Sequence, residues 1–206
     1  SMEVGRYVSK FQRRLMVANY YGGETVVWGS VQGSPEDFTL ASTIAGAFTQ
    51  TISDGNGEIT GVHDFGQFLV IEKQDSIHTI KLQIAGDLGS KLAVVEPVLS
   101  GESLGPLGMA STLKIMNKLY YPTRSNGFIS SNPTTSGDSA SVEIAPLSQK
   151  IDPYLRNSIE LGYAKSAASG NKAYWAVALT GATQNTLVLE YDILRAAWTK
   201  HFGWGP

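Results

Sequence analysis

Cysteine is absent from the whole chain, which excludes disulfides, thiolate chemistry and any zinc site built on sulfur. Stability is therefore expected to come from packing. Charge is also scarce. Acidic and basic residues make up 17% of the sequence, against about 25% in ordinary soluble domains. The formal net charge of -2 provides no basic field for a nucleic-acid backbone, so no specific nucleic acid is expected as a partner. No apolar run approaches the roughly 18 residues of a membrane-spanning helix, and no signal peptide is read at the start, so no membrane partner is expected. What is present in quantity is glycine, at 22 of 206 residues, together with serine and threonine. That mixture suits many short strands joined by tight turns, in one large β domain or two small ones with room for a sizeable core.

A repeated element organises the chain. A short polar turn followed by a compact apolar strand occurs at Gln12-Arg13-Arg14-Leu15-Met16-Val17 and again at Gly66-Gln67-Phe68-Leu69-Val70-Ile71. It returns at Asn117-Lys118-Leu119-Tyr120-Tyr121 and at Gly170-Asn171-Lys172-Ala173-Tyr174-Trp175. With Leu15, Leu69, Leu119 and Ala173 taken as equivalent, the three successive steps along the chain are nearly equal. Each copy leads to a second strand. These are Thr25-Val26-Val27-Trp28-Gly29-Ser30 after the Gly22-Gly23 turn, Ile77-His78-Thr79-Ile80-Lys81-Leu82, Phe128-Ile129-Ser130 after the Asn126-Gly127 hairpin signal, and Thr186-Leu187-Val188-Leu189-Glu190-Tyr191. The step from Leu15 to Trp28 equals the step from Leu69 to Leu82, which keeps the register. A third strand is read at Ala197-Trp198-Thr199-Lys200-His201.

A period of about 50 residues with three or four short strands per unit predicts an all-β, β-propeller-like chain of about four blades, possibly a sector of a larger propeller. The units are expected over about 7–54, 55–104, 105–150 and 151–206, within one domain running from residue 3. One such sheet cannot bury both faces alone, and stacking sheets face to face buries them. Continuous apolar runs such as Phe68-Leu69-Val70-Ile71 suit strands covered on both sides, where a half-exposed sheet would alternate. The polar stretch 131–141 predicts an exposed loop. Residues 148–161 predict a short helix with Asp152 as N-cap and Pro153 at its first position.

The stretch Phe11-Gln12-Arg13-Arg14-Leu15-Met16-Val17-Ala18, followed by Val27-Trp28-Gly29-Ser30 and Pro35-Glu36-Asp37-Phe38, resembles a blade of tailed-bacteriophage virion proteins. Ile144-Ala145-Pro146-Leu147-Ser148-Gln149-Lys150-Ile151 resembles a further segment of theirs. So do Tyr174-Trp175-Ala176-Val177, Val188-Leu189-Glu190-Tyr191-Asp192 and Ala197-Trp198-Thr199. The similarity spans about residues 7–202. It implies a β-propeller-like component of a phage or prophage tail or head–tail connector, without enzymatic activity. Such a component assembles with itself or with other virion proteins, and its expected location is the virion, or the host cytoplasm during assembly. Members of the family are longer, so the chain is expected to be a fragment. Ser1-Met2 reads as an expression scar, and the stop at Trp204-Gly205-Pro206 falls within an aromatic run.

No motif assigns a catalytic, cofactor or metal site. His63, His78 and His201 share no ligand spacing and are expected to be structural. Asp54-Gly55-Asn56-Gly57-Glu58 offers alternating oxygens, but Ile59 and Phe65 stand where a calcium loop needs glycine and glutamate, so a turn is expected. Gly29-Ser30 lacks the surrounding glycines of a nucleophile elbow, and no Ser/His/Asp set is suggested by residue order. The glycine-rich 101–108 lacks the lysine of a phosphate loop and predicts a connection between blades that brings the chain close to a neighbouring backbone. Arg13-Arg14 with Lys10, and Arg195 with Lys200, read as solvated strand ends. Tyr20, Tyr21, Tyr120, Tyr121 and Trp175 are candidate ligand-facing aromatics for a glycan, set against inter-blade core, the commoner role for aromatics at equivalent repeat positions. Three functions follow: virion assembly first, a carbohydrate-binding propeller second, and a glycoside hydrolase third. The last requires two carboxylates about 5–10 Å apart in one pocket.

Overall fold

The structure is a computed structural model that describes residues 5–40, 45–54, 57–85, 90–100, 105–123, 127–136 and 139–202. Among the described residues it is all-β apart from one short helix and one 3-10 turn. Sixteen strands fall into four separate antiparallel sheets, each a meander of four consecutive strands. Sheet 1 contains β1 (Tyr7–Phe11), β2 (Arg14–Tyr20), β3 (Gly23–Gly29) and β4 (Phe48–Thr51). Sheet 2 contains β5 (Ile59–Asp64), β6 (Leu69–Lys73), β7 (Ser76–Ala85) and β8 (Ser90–Ser100). Sheet 3 contains β9 (Leu113–Ile115), β10 (Lys118–Thr123), β11 (Gly127–Ser136) and β12 (Ser139–Pro146). Sheet 4 contains β13 (Ile159–Ser169), β14 (Lys172–Leu179), β15 (Asn185–Asp192) and β16 (Ala197–Phe202).

Leu15, Leu69, Leu119 and Ala173 all lie on the second strand of their sheets. The turn before each of those strands contains a residue with positive φ: Gln12 and Arg13, Gly66, Met116, and Gly170. Short hairpins need that left-handed step, which explains why the recurring polar turn marks the repeat.

Consecutive sheets pack face to face, and the pleat divides each strand between two cores. In β6, Leu69 and Ile71 join Met16, Ala18, Val27 and Phe48 of sheet 1. Phe68 and Val70, pointing the other way, join Leu119, Tyr121 and Ile129 of sheet 3. In sheet 3, Tyr120 and Phe128 turn instead toward Trp175, Leu187 and Leu189 of sheet 4. A continuous apolar run is the expected sequence of a strand that serves two interfaces at once. Below, the face of a sheet toward the preceding sheet is its back and the opposite face its front. Along one side of the stack β5 touches β1, β13 touches β9, and the 3-10 turn Met109–Ser111 before β9 bridges β5 and β13.

Two local expectations are corrected. Residues 131–136 and 139–141 continue β11 and β12 as paired strands, with Asn132 opposite Glu143, not as a free loop; 137–138 lie outside the described residues. Backbone ladder bonds need no apolar side chains, so composition hid them. Pro133 fits there because β10 pairs with β11 only as far as Ser131, leaving a partner on one side. The helix, α1, spans only Asp152–Ser158, and Ile159 already begins β13. Ile151 is its N-cap, while the Asp152 carboxylate accepts a hydrogen bond from Ser148 Oγ at 2.7 Å. Ser148 Oγ in turn accepts from the Phe128 amide at 2.9 Å, so Asp152 anchors the helix to sheet 3 instead of capping it. The connection before sheet 3 does make a close approach: a Cβ on Gly105 would overlap the Lys73 and Gln74 carbonyls.

Candidate functional site

The five candidate aromatics do not converge. Tyr21 is exposed at the β2–β3 turn, and Tyr20 meets Trp28 edge-on with ring centroids 6.3 Å apart. Tyr121 is fully buried between sheets 2 and 3, and Trp175 is fully buried between sheets 3 and 4. The five form no common platform, and burial places Tyr121 and Trp175 in the core because second-strand residues are covered on both faces. Of the five, Tyr120 alone borders the cleft described next.

That cleft, of about 810 Å³, is an open concavity on the flank of sheets 2 to 4. Phe65 and Phe68 stack in it at 5.8 Å, with Ile115, Met116, Tyr120 and Ile193 completing an apolar wall. Gln67, Asn117, Lys118 and Asn132 supply amide and ammonium groups at the rim. Met116 is 71% exposed and holds positive φ at the β9–β10 turn. Lys114 Nζ donates to the Asp64 carbonyl and lies 4.7 Å from the Phe65 ring centroid, which fixes that ring. The described lining contains no Asp or Glu, so the two-carboxylate arrangement of glycoside hydrolysis is not formed there. Phe65 and Phe68 carry a sequence signal, an aromatic pair flanking the Gly66 turn, that the repeat pattern masks.

Two buried polar clusters have no mark in the sequence, because their members lie far apart along the chain. Between sheets 1 and 2, Lys73 donates from its ammonium to Asp54 and, at 3.1 Å, to the Ile52 carbonyl. Ser76 Oγ donates to Asp54 Oδ2 at 2.5 Å, and His78 Nε2 lies 2.6 Å from the same oxygen and 3.1 Å from Ser76 Oγ. Serine, histidine and aspartate thus meet in space. Both oxygens crowd one imidazole nitrogen, whereas a catalytic triad places them on opposite nitrogens. Nδ1 of His78 is buried and makes no hydrogen bond. The cluster works as a strut that ties the β4–β5 connection to sheet 2. It also uses the Asp54 carboxylate, while Glu58 binds Arg6 and Asn19, so both carboxylates of the calcium-like segment are engaged; its centre, 55–56, lies outside the described residues.

Between sheets 2 and 3, the fully buried Glu72 meets His63 Nε2 at 3.0 Å and accepts a hydrogen bond from Thr112 Oγ1 at 3.2 Å. The His63 contact is ionic and lacks hydrogen-bond alignment. Burial alone pushes the His63 pKa down, but the charge and contact of Glu72 outweigh it and hold the imidazole above its ordinary value, with Lys114 opposing slightly. Burial raises the Tyr121 phenol far above its usual range. His201 lies elsewhere, on the open face of sheet 4, 3.0 Å from Glu190. Lys172 also bonds Glu190, at 2.5 Å, and that hydrogen bond, aided by the contact with His201, holds the carboxyl below its usual range. No group of three or more His, Asp or Glu side chains suited to a metal ion occurs among the described residues.

Compared with models of known protein families and with curated proteins, the chain matches none.

Proposed function

We propose that the chain is a non-enzymatic structural component of a phage tail or head–tail connector, built as a sector of β-propeller blades. The supporting observation is the stacking of four consecutive four-stranded meanders, front to back, with their first strands along one side of the stack. Blades around a common axis produce that arrangement, whereas a sandwich would share two sheets among all strands. The virion assignment is supported by the resemblance of segments 11–18, 27–30, 35–38, 144–151, 174–177, 188–192 and 197–199, which fall on β1–β3, the turn after β3, the end of β12 with the connection after it, and β14–β16. Its partners would be other tail proteins or further copies of this chain. Two measurements test the proposal. Class averages in electron microscopy should show wedge-shaped blades about an axis, and a continuous two-layer sandwich would overturn the architecture. Antibody against this chain should label purified phage particles from the encoding genome, and unlabelled particles would overturn the virion role.

The cleft favours a second reading, carbohydrate binding. Stacked Phe65 and Phe68 match the apolar face of a sugar ring, and Gln67, Asn117 and Asn132 match its hydroxyls. Glycan-array binding that is lost in Phe65→Ala with unchanged thermal stability would support it. An array with no bound glycan would remove it.

A further inference from the structure

The sheets stack in one direction, the front of each on the back of the next, so that two faces meet no sheet among the described residues. They are the back of sheet 1 and the front of sheet 4. The register assigns their residues. Val17 pairs with Val8 and Trp28, and Leu15 pairs with Lys10, which places these five on the back of sheet 1 with Val26. Tyr174 pairs with Ala167 and Glu190, and Ala176 pairs with Lys165 and Val188, which places these on the front of sheet 4. Val8 is 49% exposed and Leu15, Val26 and Trp28 are half-buried, while Val17 between them is covered by the chain at Gly5. On the other face Tyr163 is 51% exposed, and Tyr174, Ala176 and Val188 are half-buried around a shallow hollow of about 430 Å³. Each face is apolar at its centre with charged residues around it, as the interior faces are, and their exposure shows that the two do not cover one another within one chain.

The tryptophans point the same way. On the back of sheet 4, Trp175 Nε1 donates to the Ser111 carbonyl at 2.8 Å, and Trp198 Nε1 donates to the Leu147 carbonyl at 2.9 Å. Both acceptors belong to chain segments that flank the strands of the preceding sheet, sheet 3. Trp28 occupies the same kind of face on sheet 1, where no described sheet precedes it, and its shielded Nε1 has no hydrogen-bond partner. A covered N–H without an acceptor has lost its water and gained nothing in return, which is unfavourable. Sheet 1 therefore has the back face of an interior blade, not the polar outer face of a terminal cap.

We propose that the back of sheet 1 receives the front of sheet 4 of a second copy of this chain, in a head-to-tail contact that extends the stack between molecules. The inference rests on the blade reading above, because it repeats the packing already made at the three internal interfaces. A heterologous contact of this kind closes into a ring or continues as a filament, according to the angle per copy. The occupant is a second copy because, among the described residues, the surface complementary to a back face is a front face of this same fold.

The test uses the full chain in sedimentation velocity from about 1 to 100 µM, with two single variants. Wild type should gain mass with concentration in multiples of one chain. Trp28→Glu ruins the back face and Val188→Glu the front face, and each alone should weaken association at least tenfold while leaving thermal stability unchanged. Mixed in equal amounts, the two variants should form a dimer and stop there, because each contributes one intact face. Val8→Glu, at a more exposed position, repeats the first variant should Trp28→Glu unfold. A wild type that stays monomeric at 100 µM overturns the proposal, as does a mixture of variants that fails to dimerise. Small-angle scattering on the same samples separates the two levels of the argument. A monomer whose profile still fits four stacked sheets removes the second copy and leaves the blade reading standing. A profile that fits no such stack removes the blade reading itself.

Discussion

At the residue scale, the most consequential groups are charged side chains that the sequence offers no reason to bury. Glu72 and Lys73 are neighbours on β6, and the pleat sends them into different interfaces, Glu72 toward sheet 3 and Lys73 toward sheet 1. Each is tolerable because a partner waits there. His63 gives this arrangement a pH signature. Its folded pKa is raised above the free value near 6.5, so protonation and folding support each other. The contribution is complete below about pH 6.5 and is lost as pH rises through the raised value. The stability of wild type against heat should therefore fall, relative to Glu72→Gln, as pH rises above about 6.5. The gap between the two, about 1–3 kcal/mol, should be widest at low pH. A gap that is constant with pH would contradict the assigned pair. Trp175 sets the second residue-scale expectation. It is fully buried, touches Phe128 at 4.7 Å and spends its N–H on Ser111, so Trp175→Ala should cost about 3–5 kcal/mol in chemical denaturation. Tyr21→Ala, at a residue 88% exposed, should stay within about 0.5 kcal/mol. Equal effects would mean that the division of aromatics between core and surface is wrong.

At the scale of elements, turns and connections decide where sheets begin. The segment before sheet 3 runs so close to the β6–β7 turn that Gly105 has no space for a side chain. Gly105→Ala should destabilise by about 1–3 kcal/mol through forced displacement of the Lys73 and Gln74 backbone. Gly66→Ala meets no neighbour but retains a positive φ of 75°, so its cost should be about 1 kcal/mol and purely local. Urea midpoints of the two variants check the order. The strands themselves were legible where side chains reported on burial, as in β2, β6 and β14. They were illegible in β11 and β12, where Ser, Thr and Asn carry a ladder whose bonds are all backbone. The helix was overextended for the opposite reason. Ile159 and Leu161 fit a helical stripe, but they serve a strand that covers the sheet 3–4 core.

At the scale of the molecule, stability is spread over three interfaces in series. Ile71 belongs to the first and Trp175 to the third, with sheet 3 between them. Ile71→Ala and Trp175→Ala should therefore add within about 0.5 kcal/mol when combined, as distant sites in a one-dimensional stack do. A coupling larger than about 1 kcal/mol, read from the double variant by denaturant titration, would mean that the ends communicate more directly than a linear stack allows. The amino-acid order alone determined the four units, the second strand of each and the all-β class, because pleat, turn chemistry and apolar runs are local rules that leave local marks. Only the tertiary structure decided which side of each strand meets which neighbour, which aromatics are buried, and that His63, Glu72 and Thr112 share one interface. Those outcomes depend on how sheets from distant parts of the chain are placed against each other, and pleat parity records only that two faces exist, not what will cover them.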